Sequence, residues 1–340
     1  MTAQQYKISI VVPVYNEEKG FRHLTERLDA VMKKMGEEGI PVETILVDDG
    51  SADNSPMLIR LLARTNPHFK GVLLSRNFGH QIAVTAGIKY ATGSEAIFII
   101  DCDLQDPPEL LYDFYPYLAK GYDVVYGIRR NRKESGLKKA TYSLFYKVLS
   151  KISTIPIPVD SGDFSLISRR VADILNEMPE ESRFLRGMRS WAGFSQIGIE
   201  YDRQERHAGD STYSFRRLWK LAKDGIYNFS DVPIAIMRRI GFGAILFSLI
   251  YFAYILYQKM MYNSVPQGFT TLVFLIMLFA GLQFVFLGVM GEYVLRIFFQ
   301  VKQRPLFILK EYIAIDESKN IEKNGKEEEA NYFVRQKRSA

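Results

Sequence analysis

Two carboxylates stand two residues apart in the segment Asp101-Cys102-Asp103, which directly follows the hydrophobic stretch 95–101. Side chains at such positions just past a strand both turn toward a cleft, and paired carboxylates bind hard divalent cations such as Mg²⁺ or Mn²⁺ through oxygen. Gln105 offers a further oxygen ligand, while Asp106, before two prolines, is expected to cap the next helix. Two acids at this spacing are weak evidence alone, so their surroundings decide the interpretation.

Polar groups also end the other predicted strands. Tyr15, Asn16 and Glu17 follow the first strand, Asp48-Asp49-Gly50 ends the second, and Arg76-Asn77 follows the third. The carboxyl ends of parallel strands meet at one edge of a sheet, where such folds bind ligands. A carboxylate there can accept a hydrogen bond from a nucleobase imide or a ribose hydroxyl. The convergence therefore predicts one cleft that binds a metal and a nucleotide.

β-Branched stretches alternate with helical periodicities along the first half of the chain, which predicts a mostly parallel sheet with helices on both faces. Pro13 suggests that the first strand is at an edge or near its end, and Asn16 is expected to cap the first helix. The expected strands are 7–15, 42–51, 71–75, 95–101 and 123–127, with helices to about residue 36 and over about 55–65 and 80–91.

Composition narrows the possible partners. The 340 residues carry a formal net charge of +6, with 47% hydrophobic and 24% charged residues. No zinc-finger spacing, RNA-binding motif or long basic tract accompanies that charge, which argues against nucleic acid and leaves an anionic membrane or a phosphorylated substrate. Cys102 is the single cysteine, so no intramolecular disulfide forms, and residues 1–6 show no signal-peptide pattern. These features fit a domain that faces the cytoplasm.

The last third of the chain contains two long uncharged runs, 240–257 and 268–290. Each approaches the roughly 20 apolar residues of a membrane helix. Basic residues flank the pair outside the short connecting loop, so the positive-inside rule predicts a hairpin with both termini in the cytoplasm. Segments 215–230 and 292–303 are expected to form amphipathic helices in the headgroup layer. The predicted regions are a catalytic domain at 1–214, an interfacial region at 215–235, two membrane helices within 236–292, a juxtamembrane segment at 293–312 and a polar, disordered tail at 313–340.

Several motifs resemble glycosyltransferase family 2, and within it the polyprenyl-phosphate glycosyltransferases, which include dolichol-phosphate mannose synthase and the bactoprenol glucosyltransferases. The resemblance covers about 7–310. Its motifs are VPVYNEE at 12–18, VDDGSAD at 47–53, SRNFGHQIAVTAG at 75–87, DCDLQDPPE at 101–109, SGDFSL at 161–166, EESRFLRG at 180–187, ERHAGDSTYSF at 205–215 and GEYVLRIFFQVKQRP at 291–305.

The resemblance implies a GT-A fold and sugar transfer from a nucleotide donor, with UDP the expected nucleotide, to a polyprenyl phosphate. Its nucleotide-sugar site would consist of Pro13, Tyr15, Glu17, Asp49, Asp101, Asp103 and Arg206. Its metal ligands would be Asp101, Asp103 and Gln105. Asp163 matches the aspartate that faces the reacting centre. Thr212 departs from the lysine of many relatives, which leaves Arg203 or Arg206 to steady the phosphates.

A phosphate monoester acceptor is largely dianionic near neutral pH because its second pKa is about 6. It needs little help from a base, so we expect in-line attack with inversion, in which Asp163 orients the phosphate, removes a residual proton or stabilises the positive sugar ring. Asp103 joins it as a catalytic candidate. The candidate ligands of the acceptor phosphate are Arg129, Arg132, Arg183 and Arg186. Arg183 and Arg186, three residues apart, would share one helix face. His80 and His207 are expected to be polar surface or loop residues.

Two other functions compete with this interpretation. A processive polysaccharide synthase would need more membrane helices and a Q-x-x-R-W motif, and the sequence has neither. A catalytically silent membrane scaffold would have broken acidic motifs, whereas all of them are intact. We therefore predict an inverting hexosyltransferase of the bacterial inner membrane that uses UDP-glucose or a similar donor, Mg²⁺ or Mn²⁺, and undecaprenyl phosphate. Gly281 and Gly288 suggest helix packing between copies of the chain.

Overall fold

The computed structural model describes residues 6–130, 161–202, 232–262 and 268–315. Within them the strands are β1 (Ile8–Val14), β2 (Val42–Asp48), β3 (Phe69–Leu74), β4 (Ala96–Ile99), β5 (Val124–Arg129), β6 (Ser161–Ser168), β7 (Gln196–Tyr201) and β8 (Leu309–Ile313). The helices are α1 (Phe21–Glu37), α2 (Ser55–Thr65), α3 (His80–Tyr90), α4 (Leu111–Ala119, after a 3₁₀ turn at Pro108–Leu110), α5 (Arg169–Glu177), α6 (Leu185–Trp191), α7 (Val232–Tyr262) and α8 (Phe269–Val301).

All eight strands form one sheet in the order β7-β5-β6-β4-β1-β2-β3-β8. Strands β1 to β4 are parallel to their neighbours among themselves, while β6 runs antiparallel between β4 and β5, and β8 runs antiparallel along β3. Every residue of β1 and β2 is buried, as expected for parallel strands covered on both faces. The predicted mostly parallel α/β fold is confirmed.

Alternate residues of the central strands supply two cores, one on each face of the sheet. On one face Val12 and Phe98 pack with Leu28 of α1, and on the other Val11 packs against α3. Helix α3 approaches closely because a Cβ on Gly87 would lie 2.2 Å from Cγ1 of Val11. This packing holds the start of α3 beside the carboxyl ends of the strands.

Pro13 lies near the end of β1, which is one of the two positions predicted for it, while the alternative of an edge strand is wrong because β1 is central in the sheet. Pro13 is tolerated there because it lies beyond Val11, the last residue that pairs with β4. The predicted cap of the first helix was wrong. Helix α1 begins at Phe21, and Asn16 does not cap it. Asn16 instead adopts φ 55°, its backbone N–H donates to Oγ of Ser51 at 2.9 Å, and its side-chain oxygen accepts from Ala52 N–H at 2.8 Å. These long-range bonds tie together the loops after β1 and β2.

Helices α7 and α8 are each long and apolar enough to cross a membrane, over Val232–Met261 and Phe274–Val301. Both extend beyond the predicted runs. Their large apolar side chains, such as Phe242 and Phe284, are exposed in the isolated chain. Residues 292–301 continue α8, so the predicted separate interfacial helix there is wrong. The other predicted interfacial helix, 215–230, lies outside the described residues.

Strand β8 was not predicted, because 293–312 was interpreted as a juxtamembrane segment and 313 as the start of a polar tail. After α8 the chain returns to the sheet and pairs with β3. Nε of Arg60 lies 2.7 Å from the Glu311 carboxylate, and the rings of Tyr90 and Tyr312 stack with centroids 5.2 Å apart. Ile313, the last residue of the strand, is buried. The C-terminal end of α8 is therefore followed by a strand that belongs to the catalytic sheet.

Candidate active site

The predicted catalytic and metal-binding carboxylates meet at the carboxyl edge of the sheet. In the β4–β6 pairing Ile99 lies opposite Ser165, and the same register places Asp101 across from Asp163. Nε2 of His80, the first residue of α3, lies 3.5 Å from Oδ1 of Asp101 and 3.5 Å from Oδ2 of Asp163. Three elements distant in sequence thus contribute to one cluster.

Asp163 has a nearly complete set of polar partners. Its side chain is 9% exposed, and Nε of Arg186 donates to Oδ1 at 2.9 Å. Nε2 of Gln81 donates to Oδ2 at 2.7 Å, while Oε1 of Gln81 accepts from Leu185 N–H at 2.9 Å. Burial opposes ionisation, but the charges of Arg186 and His80 outweigh it and hold the pKa of Asp163 well below its usual range. Asp163 is therefore a stable anion and a weak base.

His80 is more than the surface residue expected from the sequence. The side chain is 43% exposed, and its partial burial favours the neutral form, but the hydrogen bond to Asp163 and the charge of Asp101 raise its pKa to about 9. The imidazole therefore carries a proton at neutral pH and bridges two carboxylates. The available sequence signal was its position as the first residue of a helix that follows a strand.

The segment 101–106, which carries the acidic pair, is held in place at its C-terminal end by Asp106. Leu104 adopts φ 54°, and Oδ1 of Asp103 accepts from Gln105 N–H at 3.1 Å. The fully buried carboxylate of Asp106 accepts hydrogen bonds from the Tyr201 hydroxyl and, at 3.2 Å, from Nη2 of Arg129. The predicted helix cap at Asp106 is therefore wrong, because its side chain points into the protein toward β5 and β7.

Carboxylates crowd around Asp101. Burial raises its pKa, His80 lowers it, and the charges of Asp106, Asp103 and Asp163 raise it further. Among the described residues no group of three or more His, Cys, Asp or Glu side chains is arranged to hold a metal ion. Carboxylate and amide oxygens at Asp101, Asp103 and Gln105 fit a hard divalent cation that completes its shell with ligands from elsewhere, and a cation would relieve the repulsion.

Cys102 lies between the two acids and is exposed to the same negative charges. Burial and the charges of Glu17, Asp101 and Asp103 raise its thiol pKa well above the usual value. The thiol stays protonated and unreactive.

The second acidic motif shapes the neighbouring loop. The Asp49 carboxylate accepts hydrogen bonds from Phe78 N–H at 2.7 Å and Gly79 N–H at 2.9 Å. Gly50 has φ +69°, and a Cβ there would lie 2.4 Å from the backbone of Arg76, so only glycine fits. This arrangement holds the turn after β2 against the turn after β3. Of the other predicted nucleoside ligands, Pro13 is buried, Tyr15 is exposed and Glu17 is half-buried.

The arginines predicted to bind phosphate groups do not form one cluster among the described residues. Arg186 lies on α6 beside Asp163 and Arg129 pairs with Asp106, while Arg132 and Arg206 lie outside the described residues. Arg183 precedes α6, is buried and donates to the Leu175 carbonyl at 2.9 Å, so the shared helix face with Arg186 was wrong.

A buried arginine that the sequence analysis did not identify lies three residues after Arg186. The side chain of Arg189 is buried, with its guanidinium 5.4 Å from the centre of the Tyr126 ring. Within the described part of the chain, its Nε and Nη2 have no hydrogen-bond partner. Burial lowers its pKa to about 10. The two cations that share one face of α6 are therefore Arg186 and Arg189.

The mostly parallel sheet and the acidic cluster at its carboxyl edge define a GT-A-like transferase fold. Residues 9–175 match the model of "Glycosyl transferase family 2". The chain is 41% identical over 315 residues to the glycosyltransferase YkcC of Bacillus subtilis, covering 92% of this chain and 96% of that protein. The chain belongs to glycosyltransferase family 2 and is a glycosyltransferase.

Two further proteins are similar to this chain. The SfII prophage-derived bactoprenol glucosyl transferase of Shigella flexneri is 36% identical, with 89% of this chain and 97% of that protein covered. A solved mannosyltransferase from Pyrobaculum calidifontis, in complex with GDP-Man and Mn²⁺, aligns at 17% identity with a TM-score of 0.42, covering 65% and 61%. That second similarity is too low to bear on the ligands of this chain.

Proposed function

We propose that this protein transfers a hexose from a nucleotide sugar, UDP-glucose or a close analogue, to undecaprenyl phosphate, with inversion at the anomeric carbon. The product is a lipid-linked monophospho-sugar for modification of the cell envelope. The observation that carries the proposal is the cluster of Asp101, His80, Asp163 and Arg186 at the sheet edge. The bactoprenol glucosyl transferase relative supports the lipid acceptor, and the two apolar helices support a membrane location.

Pro13, Tyr15, Glu17 and Asp49 are proposed to hold the nucleoside, and Arg206 to contact its phosphates. The buried pair of backbone hydrogen bonds at Asp49 supports a preformed pocket, since the turns after β2 and β3 are locked together. Asp101, Asp103 and Gln105 would hold Mg²⁺ or Mn²⁺, which neutralises the diphosphate of the donor. Removal of divalent ions with EDTA should abolish transfer, and added Mn²⁺ should restore it.

Asp163 is proposed to act electrostatically. Its low pKa makes proton removal inefficient, and a dianionic acceptor phosphate does not require it. The carboxylate instead would fix Arg186, which is 18% exposed and lies 2.9 Å from it, and would stabilise positive charge that develops on the sugar ring. Arg186 is the proposed ligand of the acceptor phosphate. Arg129, at the same edge of the sheet, remains a candidate, as does Arg132, which lies outside the described residues. The buried Arg183 lacks structural support for this role.

The decisive experiment supplies purified full-length protein in lipid vesicles with undecaprenyl phosphate and a panel of labelled UDP-sugars, followed by mass spectrometry of the lipid. One labelled polyprenyl phospho-hexose is expected. Asp163→Asn should lower kcat about a hundredfold or more, as loss of a preorganised charge does. The matched control is Asp113→Asn, an exposed aspartate on α4, which should retain full activity. Near-normal turnover of Asp163→Asn contradicts the proposed role.

The same preparation tests the competing scaffold function. Binding of a nucleotide sugar in the presence of Mn²⁺ is expected for the enzyme. No binding of any common donor, together with no transfer, would favour a non-catalytic scaffold. Both termini are proposed to lie in the cytoplasm with the hairpin inserted from that side, which labelling of an engineered cysteine at either end would test. Assembly of several copies through α7 and α8 remains a proposal.

A further inference from the structure

The end of the second membrane helix contacts a loop of the catalytic domain directly. Nε2 of Gln300 donates to the Pro179 carbonyl at 2.6 Å, and Oε1 of the same side chain accepts from Glu181 N–H at 3.0 Å. The amide therefore uses its donor and its acceptor at once, on two backbone groups of one loop. Neither an aliphatic nor a charged side chain at position 300 could make both bonds.

The loop that Gln300 holds, residues 178–184, is well anchored and leads into the active site. Met178 and Phe184 at its two ends are buried in the core. At the far end, Leu185 N–H is held by the Gln81 side chain, which also donates to Asp163. A displacement of the loop would therefore move α6 and its arginine at position 186 relative to the catalytic carboxylate.

Helix α8 can relate the position of the catalytic domain to that of the bilayer, because the helix is long and the chain contacts the domain again just after the helix ends. Its 33 residues span about 50 Å at 1.5 Å per residue. The hydrocarbon core of a bilayer is only about 30 Å thick. The helix exceeds that thickness by about 20 Å, which allows its last turns to lie outside the hydrocarbon, where Gln300 contacts the loop of the catalytic domain. Seven residues separate the end of α8 from β8, which pairs with β3, and Ile308 O accepts from Ser75 N–H at 2.9 Å at the carboxyl edge of the sheet.

From these contacts we propose that Gln300 is a positioning residue that sets the Arg186–Asp163 pair relative to the bilayer, so that it meets an acceptor phosphate held at the membrane surface. The inference rests on the proposed function, because only a membrane-embedded acceptor makes that placement matter. Gln300 itself does not touch the reacting groups. Its side chain acts through the loop 178–184 and the first turn of α6.

The test compares two acceptors with the full-length protein in vesicles: undecaprenyl phosphate in the bilayer and a short, water-soluble prenyl phosphate. Gln300→Ala removes both hydrogen bonds and should lower kcat with the membrane acceptor by roughly tenfold, which corresponds to about 1.4 kcal/mol in the activation free energy. Gln300→Glu, which keeps only the acceptor oxygen, should fall between it and wild type. The KM for the donor and the rate with the soluble acceptor should stay within about twofold.

The matched control is Gln303→Ala, an exposed glutamine just after the same helix, which should leave both rates unchanged. Equal losses with both acceptors would show that Gln300 only stabilises the loop, and unchanged rates with both would show that it has no role. Either outcome overturns this inference and leaves the proposed function intact. Absence of transfer by wild type to either acceptor would instead overturn the proposed function and this role with it.

Discussion

Asp106→Asn tests whether the acidic segment is held in place by the buried ion pair with Arg129. The substitution keeps the size of the side chain but removes the charge that faces a guanidinium which is only 25% exposed. Loss of one partner of a buried pair costs about 3–5 kcal/mol. Because Arg129 retains some contact with water, we expect a loss of about 3 kcal/mol, at the lower end of that range.

The measurement is the apparent melting temperature of purified protein in detergent. In a domain of this size each kcal/mol shifts it by about 2–4 °C, so Asp106→Asn should lower it by about 6–12 °C. The control is Glu200→Gln, which breaks the exposed pair with Arg130 at 3.1 Å. Such surface pairs contribute about 0.2–1 kcal/mol, so a shift of less than about 4 °C is expected.

A double-mutant cycle with Arg129→Gln isolates the pairwise energy. The two residues contact each other at 3.2 Å, so the double variant should be more stable than the sum of the single losses by about 1–3 kcal/mol. Additive losses, or a shift for Asp106→Asn no larger than that of Glu200→Gln, would refute the reasoning. Donor affinity should fall in parallel, because the segment also carries the acidic pair.

Three further predictions concern packing, the site and pH. Gly87→Ala should lower the melting temperature, since overpacking costs about 1–3 kcal/mol, whereas Gly20→Ala, with no atom within 4 Å, should not. Gln81→Leu should lower kcat at least tenfold, because it removes the hydrogen bonds to the Asp163 carboxylate and to Leu185 N–H at the start of α6. Binding of the donor, measured by calorimetry, should be unchanged. Although burial raises the pKa of Asp123, hydrogen bonds from Arg170 and two serines lower it overall. The stability that this group contributes is thus present above its unfolded pKa of about 3.9 and lost as pH falls through its lower folded pKa. In acid denaturation monitored by circular dichroism, the Asp123→Asn variant should therefore lack this part of the loss of stability that wild type shows at low pH.

Local sequence patterns predicted the central sheet well. Buried parallel strands are continuous β-branched runs, and the helices between them have an apolar face, so β1 to β5 and α1 to α3 were found close to their observed bounds. The same patterns identified the two long apolar helices from length and lack of charge, although both helices extend further toward the C-terminus than predicted and the first also begins earlier. The caps at Asn16 and Asp106 failed because those side chains bind partners far away in sequence.

The chemistry of individual residues was predicted less completely than their location. Asp101 was assigned to the site because it ends a strand and begins the acidic segment, and Asp163 because its motif SGDFSL resembles that of the family; the structure brings the two together. It did not identify His80 as their common partner or Arg189 as a buried cation on α6. Burial and charge pairing depend on which segments meet, and a pattern of residue types along one segment does not record that.

The amino-acid sequence by itself determined the elements whose signal is local: strands, helices, the acidic strand ends and the two long apolar helices. Tertiary structure decided everything that depends on pairing between distant segments. Arg60 and Glu311 lie 251 positions apart, and Gln300 meets Glu181 across 119, so β8 and the contact between membrane helix and active-site loop exist only once the chain is folded. The physical reason is that a short polar strand or a single amide gains its free energy from the partner it finds, and not from its neighbours in sequence.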